Sequence, residues 1–191
     1  VIPRCAVVGR GRLGTALAAA LPGAIGPLGR GADGAGADVV LLAVPDEAIA
    51  EAAAAGAPGP LVGHCSGATT LEPLAGREAL GLHPLMTVPA GSPPEIFRGA
   101  AAAVDGSTPR ALAAAEALAT AVGMRPMRVA PEDRAAYHAA ASIASNFLVT
   151  LHRAASSLFE AAGAPPEALV PLMLRTIDND FELTGPIARG D

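Results

Sequence analysis

The sequence predicts an α/β fold in which a doubly wound parallel sheet is followed by an α-helical C-terminal domain. Residues 5–8 form a short apolar run that enters a glycine-rich turn, and this turn opens into an alanine-rich helical segment. Apolar strands and helical segments then alternate as far as residue 130, as in a parallel sheet covered by helices. From Pro131 onwards the pattern is that of long helices alone. We therefore predict two domains, residues 1–130 and residues 131–191.

The individual elements follow from the apolar runs, the helical periodicity and the Gly and Pro residues between them. Gly163 stops one long helical pattern, and Pro171 interrupts the next. The predicted strands are 5–8, 24–28, 37–44, 60–63 and 80–82. Residues 100–104 and 124–129 are predicted to extend the sheet at its edge, in a register that the sequence does not define. The predicted helices follow the glycine turn and span 46–55, 109–122, 132–162 and 166–183.

Composition and charge exclude several classes of function. The net charge of -5 and the lack of a basic run argue against nucleic-acid binding. No apolar run reaches the roughly 18 residues of a membrane span. The two cysteines are isolated, which predicts a cytoplasmic protein without a disulfide framework. All thirteen basic residues are arginine, so mechanisms that need a lysine are excluded.

The glycine turn has the G-x-G-x-x-G spacing of a dinucleotide-binding fingerprint and lies between a strand and a helix, where that fingerprint belongs. We expect the first glycine to make the tight turn, the second to admit the pyrophosphate and the third to pack the helix on the strand. The phosphates would lie on the free amides of the helix N-terminus. The two arginines of the turn either reach phosphate oxygens or point to water. The predicted cofactor-binding residues of this turn are Gly9, Arg10, Gly11, Arg12, Leu13 and Gly14.

The end of the second strand favours NADP over NAD. NAD-specific proteins carry an acidic residue there for the ribose 2′-hydroxyl, but no carboxylate occurs in this chain before Asp33. Arg30 is placed to pair with a 2′-phosphate, unless it is an ordinary solvated loop arginine. Val44 and Pro45 end the third strand and either wall the cofactor or simply pack the strand end.

Polar side chains follow two further strands at the same edge. Ser66 is placed to bond the carboxamide or the substrate, and His83 to line the nicotinamide pocket, although a turn serine and a structural histidine are equally ordinary roles. The chain has no pair with the spacing of a zinc site, so we predict no metal.

The long helix from residue 132 carries a polar stripe, which either lines a pocket or faces solvent. We favour a pocket, in which His138 donates a proton to the group being reduced, because histidine titrates nearest neutral pH. Asn146 would orient the substrate, and a histidine satisfied within the core is the alternative. The stripe is His138, Ser142, Ser145 and Asn146, whose α-helical offsets share one face.

Several motifs together resemble a bacterial family with a Rossmann-like N-terminal domain and a helical domain of unknown function, the domain of unknown function 2520 group. The resemblance implies an NADP-dependent oxidoreductase, related at fold level to pyrroline-5-carboxylate reductases, ketopantoate reductases and the 6-phosphogluconate dehydrogenase superfamily, and it implies no particular substrate. The motifs are 9–14, 26–31, 43–46, 64–68, 82–85, 137–141, Ser145-Asn146 and 183–191.

The chain departs from the superfamily's β-hydroxyacid dehydrogenases, which pair a helix lysine with an asparagine. Asn146 matches the asparagine, but no lysine exists, so that chemistry is disfavoured unless His138 replaces the lysine. The family is longer, which predicts that this chain is truncated after residue 191. Relatives dimerise through the helical domain, so Thr184, Gly185 and Arg189 either serve a partner's pocket or form an ordinary turn.

The sequence therefore predicts hydride transfer between NADPH and a small carbonyl or imine by a homodimer that binds no nucleic acid and no membrane. Two alternatives stay open. One is a non-catalytic NADP-binding module with a regulatory or redox-sensing role. The other is a structural dimerisation protein whose glycine loop has lost its ligand.

Overall fold

The computed structural model describes residues 1–184 and 190 of the chain. These divide by their internal contacts into two compact units, Val1–Ala141 and Ser142–Asp191. The domain boundary near residue 130 stays a prediction. The motifs at 185–189 and at 191, including Gly185 and Arg189, lie outside the described residues.

Within the described residues, the first unit contains a single seven-stranded sheet. Its central strands are apolar on both faces, because helices cover the sheet on either side. The strands are β1 (Cys5–Val8), β2 (Ile25–Leu28), β3 (Val39–Leu42), β4 (Leu61–His64), β5 (Ala79–Leu85), β6 (Ala101–Gly106) and β7 (Arg125–Arg128). Their spatial order is β2-β1-β3-β4-β5-β6-β7.

The predicted doubly wound sheet is confirmed, and its last two strands reverse direction. The first five strands are mutually parallel, whereas β6 pairs antiparallel with β5 and β7 pairs parallel with β6. The connection from β5 to β6 contains only the short 3₁₀ turn Pro94–Phe97. A parallel neighbour needs a long crossover, usually a helix, and without one β6 returns beside β5.

Each face of the sheet has its own apolar core. Helices α1 (Arg12–Ala20) and α3 (Pro109–Ala121) cover one face, where Leu41 packs in the same cluster as Leu17 and Leu118. Helix α2 (Ile49–Ala54) covers the other, where Ile49 packs in a second cluster. Alternate residues of strand β3 enter alternate clusters, as strand geometry requires. Burying a leucine stabilises the fold by about 1.5–3 kcal/mol.

The topology places a crevice at one edge of the sheet. The chain leaves β1 for β2 on one side and then crosses back to β3 on the other side. Where strand order reverses in this way, the loops after the two central strands separate and leave room for a ligand at their carboxyl ends.

The remaining helices are shorter than the sequence predicts. The predicted helix at 132–162 consists of α4 (Arg134–Ser142), the π-helical segment Ile143–Phe147 and α5 (Leu148–Ala161). The segment predicted at 166–183 yields α6 (Leu169–Asp178). Among the described residues, the structure has no helix with the length and apolar character needed to cross a membrane.

Candidate active site

A cavity of about 340 Å³ opens at the carboxyl ends of β1, β2 and β3. The predicted cofactor residues form one wall, and helix α2 supplies the opposite wall through residues that include Glu51. The cavity therefore lies in the crevice where doubly wound folds bind ligands. The predicted residues that line it are Gly9, Arg10, Gly11, Arg30, Val44 and Pro45.

Different structural constraints act on the three glycines of the turn. Gly9 has φ +130°, and a Cβ there would overlap the carbonyl oxygen of Ala43. A Cβ at Gly14 would overlap the carbonyl oxygen of Gly9. Gly11 has nothing within 4 Å of a built Cβ, so packing does not require a glycine there. Only the middle glycine faces open space, which is the space a bound pyrophosphate would occupy.

Gly11 is also the N-cap of helix α1, and it provides no side-chain hydrogen bond to the first turn. The amides of that turn are therefore left for a ligand, and the helix dipole favours an anion at this end. Arg12 is exposed, whereas Leu13 is half-buried against the core. Contacts of these two side chains with a nucleotide stay a prediction.

Two arginines border the cavity near the end of β2. The Arg10 guanidinium lies over Gly29, since a Cβ built there would be 3.4 Å from the guanidinium carbon. The Arg30 side chain is 85% exposed, and its Nη1 is 4.0 Å from Oε1 of Glu51 across the cavity. An exposed pair at this distance contributes little to stability, so the Arg30 guanidinium is available to a competing anion.

A second group of polar side chains lies where side chains of helix α4 meet those of strand β5. Gly81 and His83 share one face of β5, because strand side chains alternate. Arg134, Tyr137 and His138 share one face of α4, at helical spacings of three and four residues. The Tyr137 hydroxyl is 2.7 Å from His83 Nδ1, and the two rings are nearly perpendicular.

The backbone at Gly67 lies against both imidazoles. A Cβ built there would be 2.9 Å from His83 Nε2 and 3.0 Å from His138 Nδ1. A side chain at this position would displace one ring or the other. His83 and His138 were separate sequence predictions, and the fold brings them together around this glycine.

Ser66 fixes the loop that carries Gly67. Its hydroxyl donates to Asp46 Oδ2 at 2.7 Å and accepts from the amides of Ala68 and Thr69. The Thr69 hydroxyl also donates to Asp46 Oδ2, at 2.8 Å. The single hydroxyl hydrogen and both lone pairs of Ser66 are thus used within the protein. This geometry favours a role in holding the loop, and a direct bond from Ser66 to substrate stays a prediction.

Asp46 connects the two parts of the site, because it directly follows the cavity residue Pro45. The functional residues that the sequence alone did not reveal are Asp46, Thr69, Tyr137 and Arg134. One local signal was the Ser-x-x-Thr spacing of 66–69, which is typical of a side-chain-capped turn. The spacing of Arg134 from His138 is a second signal, since it is one helical turn.

His64 is a structural histidine. Its Nε2 lies 2.9 Å from the Thr70 carbonyl oxygen and therefore donates, while its Nδ1 accepts from the Ser66 amide at 3.2 Å. Both nitrogens are satisfied only in the neutral ring. Burial lowers the pKa of His64 in agreement with this arrangement. The neighbouring Cys65 is a buried free thiol whose pKa is raised by burial.

Burial also shifts the pKa values of His83 and Tyr137. Burial, followed by the proximity of His138 and Arg134, lowers the pKa of His83 to about 4. Burial raises the pKa of the Tyr137 hydroxyl. Near neutral pH the pair is therefore an uncharged imidazole hydrogen-bonded to a protonated phenol.

Asn146 lies in the second unit, within the π-helical segment Ile143–Phe147, and is exposed. The α-helical offsets that grouped it with His138 do not hold in a π-helix. Its substrate-orienting role stays a prediction, as does the role of Thr184, which is exposed. Among residues 1–184 and 190, no group of three or more His, Cys, Asp or Glu side chains is arranged to hold a metal ion.

Comparison with known proteins supports the fold. A Bacteroides fragilis protein, provisionally named an NADP oxidoreductase, has a TM-score of 0.82 at 21% identity, over 100% of this chain and 87% of that one. A protein from Thermotoga maritima has a TM-score of 0.77 at 24% identity, over 98% and 85%. Plasmodium falciparum pyrroline carboxylate reductase, solved with NADP bound, has a TM-score of 0.68 at 13% identity, over 93% and 76%.

No curated protein matches the chain significantly. Residues 100–191 match the family described as domain of unknown function DUF2520, which agrees with the family resemblance seen in the sequence motifs. The chain is therefore a Rossmann-like α/β protein whose residues 100–191 carry the DUF2520 match.

Proposed function

We propose that this protein binds NADP(H) in the cavity at the carboxyl ends of β1, β2 and β3 and transfers hydride between it and a small carbonyl or imine. One observation carries the proposal. The turn at 9–14 presents an uncapped helix N-terminus and an open Gly11 to a cavity that is bordered by two arginines. That combination suits a dinucleotide with an additional phosphate.

Different residues of the cavity would bind different parts of the cofactor. The amides that follow Gly11 would bind the pyrophosphate. Arg10 and Arg30 would bind the 2′-phosphate, which NAD lacks. Glu51 is a weak competitor for Arg30, because an exposed ion pair contributes about 0.2–1 kcal/mol. The absence of a carboxylate before Asp33 at the end of β2 leaves the ribose 2′-hydroxyl of NAD without its usual acceptor.

When bound, the dinucleotide supplies the hydride, and the protein supplies orientation and a proton. During reduction of the substrate's C=O or C=N bond, His138 would donate a proton to the oxygen or nitrogen. Beside His138, the Tyr137 hydroxyl and the His83 imidazole are hydrogen-bonded to each other, and both groups are uncharged. In the opposite direction, the same imidazole of His138 would accept the proton. Asn146 remains the proposed residue for orienting the substrate.

We also propose a homodimer formed through the second unit. Its helices expose several large apolar side chains, among them Leu151, Leu158 and Leu172, each more than 60% exposed. Surface leucines in such numbers are typical of an interaction surface. Light scattering of the protein and of a Leu158→Lys, Leu172→Lys variant tests this, since the variant is expected to be monomeric. A wild-type monomer at micromolar concentration would contradict the proposal.

Thermal unfolding with NADPH, NADH or no nucleotide tests the cofactor assignment. A ligand present at a hundred times its Kd stabilises the folded state by about 2.7 kcal/mol, which is a rise of roughly 5–10 °C for a chain of this size. We expect that rise with NADPH and a smaller one with NADH. Arg30→Ala should remove the difference, whereas Arg125→Ala, an exposed arginine on β7 at the far side of the sheet, should retain it.

Oxidation of NADPH against a panel of carbonyls and imines, with His138→Ala as the comparison, then tests catalysis. Turnover that His138→Ala reduces at least a hundredfold would support the assigned proton donor. NADPH binding without turnover of any substrate would favour the regulatory module. No stabilisation by either nucleotide would contradict the oxidoreductase proposal.

A further inference from the structure

Arg134 is a charged side chain in the interior of the first unit. It is 1% exposed and lies at the start of α4, beneath the loop that carries Ser66 and Gly67. Its Nη1 donates to the Ser66 carbonyl at 3.3 Å. Its Nη2 is 3.6 Å from Oδ2 of Asp105, which is close enough for an ion pair but too far for a hydrogen bond.

The fold makes room for this guanidinium at a cost. A Cβ built at Gly81 would be 3.2 Å from Arg134 Nη2, so a larger residue on β5 would press on the guanidinium. The Nε and Nη2 atoms of Arg134 are buried without a hydrogen-bond partner. A buried ion pair with incomplete hydrogen bonding does not recover its desolvation cost. Stability alone therefore does not account for an arginine at this position.

The surroundings of Arg134 indicate what the charge does. Tyr137 and His138 follow it on the same face of α4, and His83 follows Gly81 on the same face of β5. Besides Arg134, the titratable groups that face His83 are Tyr137, His138, His64 and Asp46. Asp46 is an anion, and it also accepts hydrogen bonds from the hydroxyls of two loop residues. A second carboxylate, Asp105, lies opposite Gly81 on the neighbouring strand β6 and pairs with Arg134 itself.

We propose that Arg134 is a positioning residue of this site: it fixes the Ser66 carbonyl, and its buried positive charge adds to the burial and the neighbouring His138 that keep the His83 imidazole uncharged. An uncharged imidazole has one N–H that donates and one bare nitrogen that accepts, whereas the protonated ring only donates. His83 can then pass or orient a proton beside Tyr137 and His138 in both directions of a reaction. Its value for catalysis rests on the proposed function, but the charge effect itself does not.

Titration of the four histidines by NMR in the nucleotide-free protein tests the inference. Substitution of each histidine in turn assigns the signals. In the wild type, His83 should stay neutral to below pH 5. Arg134→Met removes the charge and retains most of the volume, and it should raise the His83 midpoint by about one pH unit. Arg134→Lys retains the charge and should leave the midpoint within about 0.3 of the wild-type value.

Three results would overturn the inference. One is a wild-type His83 that titrates near 6.5, which requires no variant. A second is an unchanged His83 midpoint in folded Arg134→Met, and the third is an equal rise in the Met and Lys variants, which would assign the effect to guanidinium packing. If Arg134→Met does not fold, Arg134→Gln replaces it with the same expectation. Because no nucleotide is present, failure of NADPH binding leaves this test intact.

Discussion

Replacement of Gly11 by alanine separates the proposed function of the glycine turn from its structural role. Gly11 has φ −72° and ψ 178°, a conformation that alanine adopts without strain. No atom lies within 4 Å of the Cβ that this substitution adds. Alanine is a poorer N-cap than glycine, by about 0.5–1 kcal/mol. We therefore expect Gly11→Ala to change the free energy of unfolding by less than about 1 kcal/mol.

The effect on binding should be much larger. The added methyl group occupies the open space over the helix N-terminus, where the pyrophosphate must approach the amides that follow residue 11. Displacement of the phosphates should weaken NADPH binding at least tenfold, which is about 1.4 kcal/mol. Urea unfolding measures the first quantity, and quenching or enhancement of NADPH fluorescence measures the second.

Gly14→Ala provides the matched control. The Cβ at this position would overlap a backbone carbonyl oxygen, that of Gly9, and no rotamer change can relieve the overlap. We expect Gly14→Ala to reduce the free energy of unfolding by about 3 kcal/mol. A normally folded Gly11→Ala variant that binds NADPH as tightly as the wild type would contradict this assignment, because the open face of the turn would then not be the phosphate site.

Three further predictions concern the histidine site and cofactor choice. Because the folded-state pKa of His83 lies at about 4, below its ordinary 6.5, the unfolded chain binds more protons between these values. The free energy of unfolding should then decrease by up to about 3 kcal/mol as the pH falls from 6.5 to 4. Urea unfolding measures this decrease, which should be smaller in the His83→Gln variant. Gly67→Ala should cost about 1–3 kcal/mol and shift the NMR signals of both adjacent imidazoles, and unshifted signals would contradict the packing described. Glu51→Gln frees Arg30 from its ion pair, so it should tighten NADPH binding two- to fivefold, about 0.5–1 kcal/mol, and leave NADH binding nearly unchanged. Calorimetry measures both affinities, and equal effects on the two nucleotides would argue against a 2′-phosphate site.

The parts of the fold that were predictable depend on local sequence. The strand at Cys5–Val8, its glycine turn and the helix after it form one continuous segment, so their order alone identifies the unit. The buried strand Val39–Leu42 is a run of four apolar residues, which is equally local. The direction of β6 was not predictable from its local sequence, because it depends on the connection after β5 rather than on the strand itself.

The histidine site was predictable only in part, because its bonds cross long stretches of sequence. The Ser66 hydroxyl reaches a carboxylate 20 residues earlier, and the Tyr137 hydroxyl reaches an imidazole 54 residues earlier. Sequence position predicts that strand-end residues share an edge, which brought Ser66 and His83 into consideration. It does not predict a buried arginine, because arginine is usually exposed. Nor did helical periodicity predict the π-helical segment Ile143–Phe147, where the regular spacing changes.

A crystal structure of the protein with NADP⁺ bound would test the central claim most directly. We expect the pyrophosphate on the amides after Gly11, the 2′-phosphate between Arg10 and Arg30, and the nicotinamide ring facing His83 and His138. A nucleotide bound elsewhere, or one whose 2′-phosphate points away from both arginines, would contradict the proposed cofactor site.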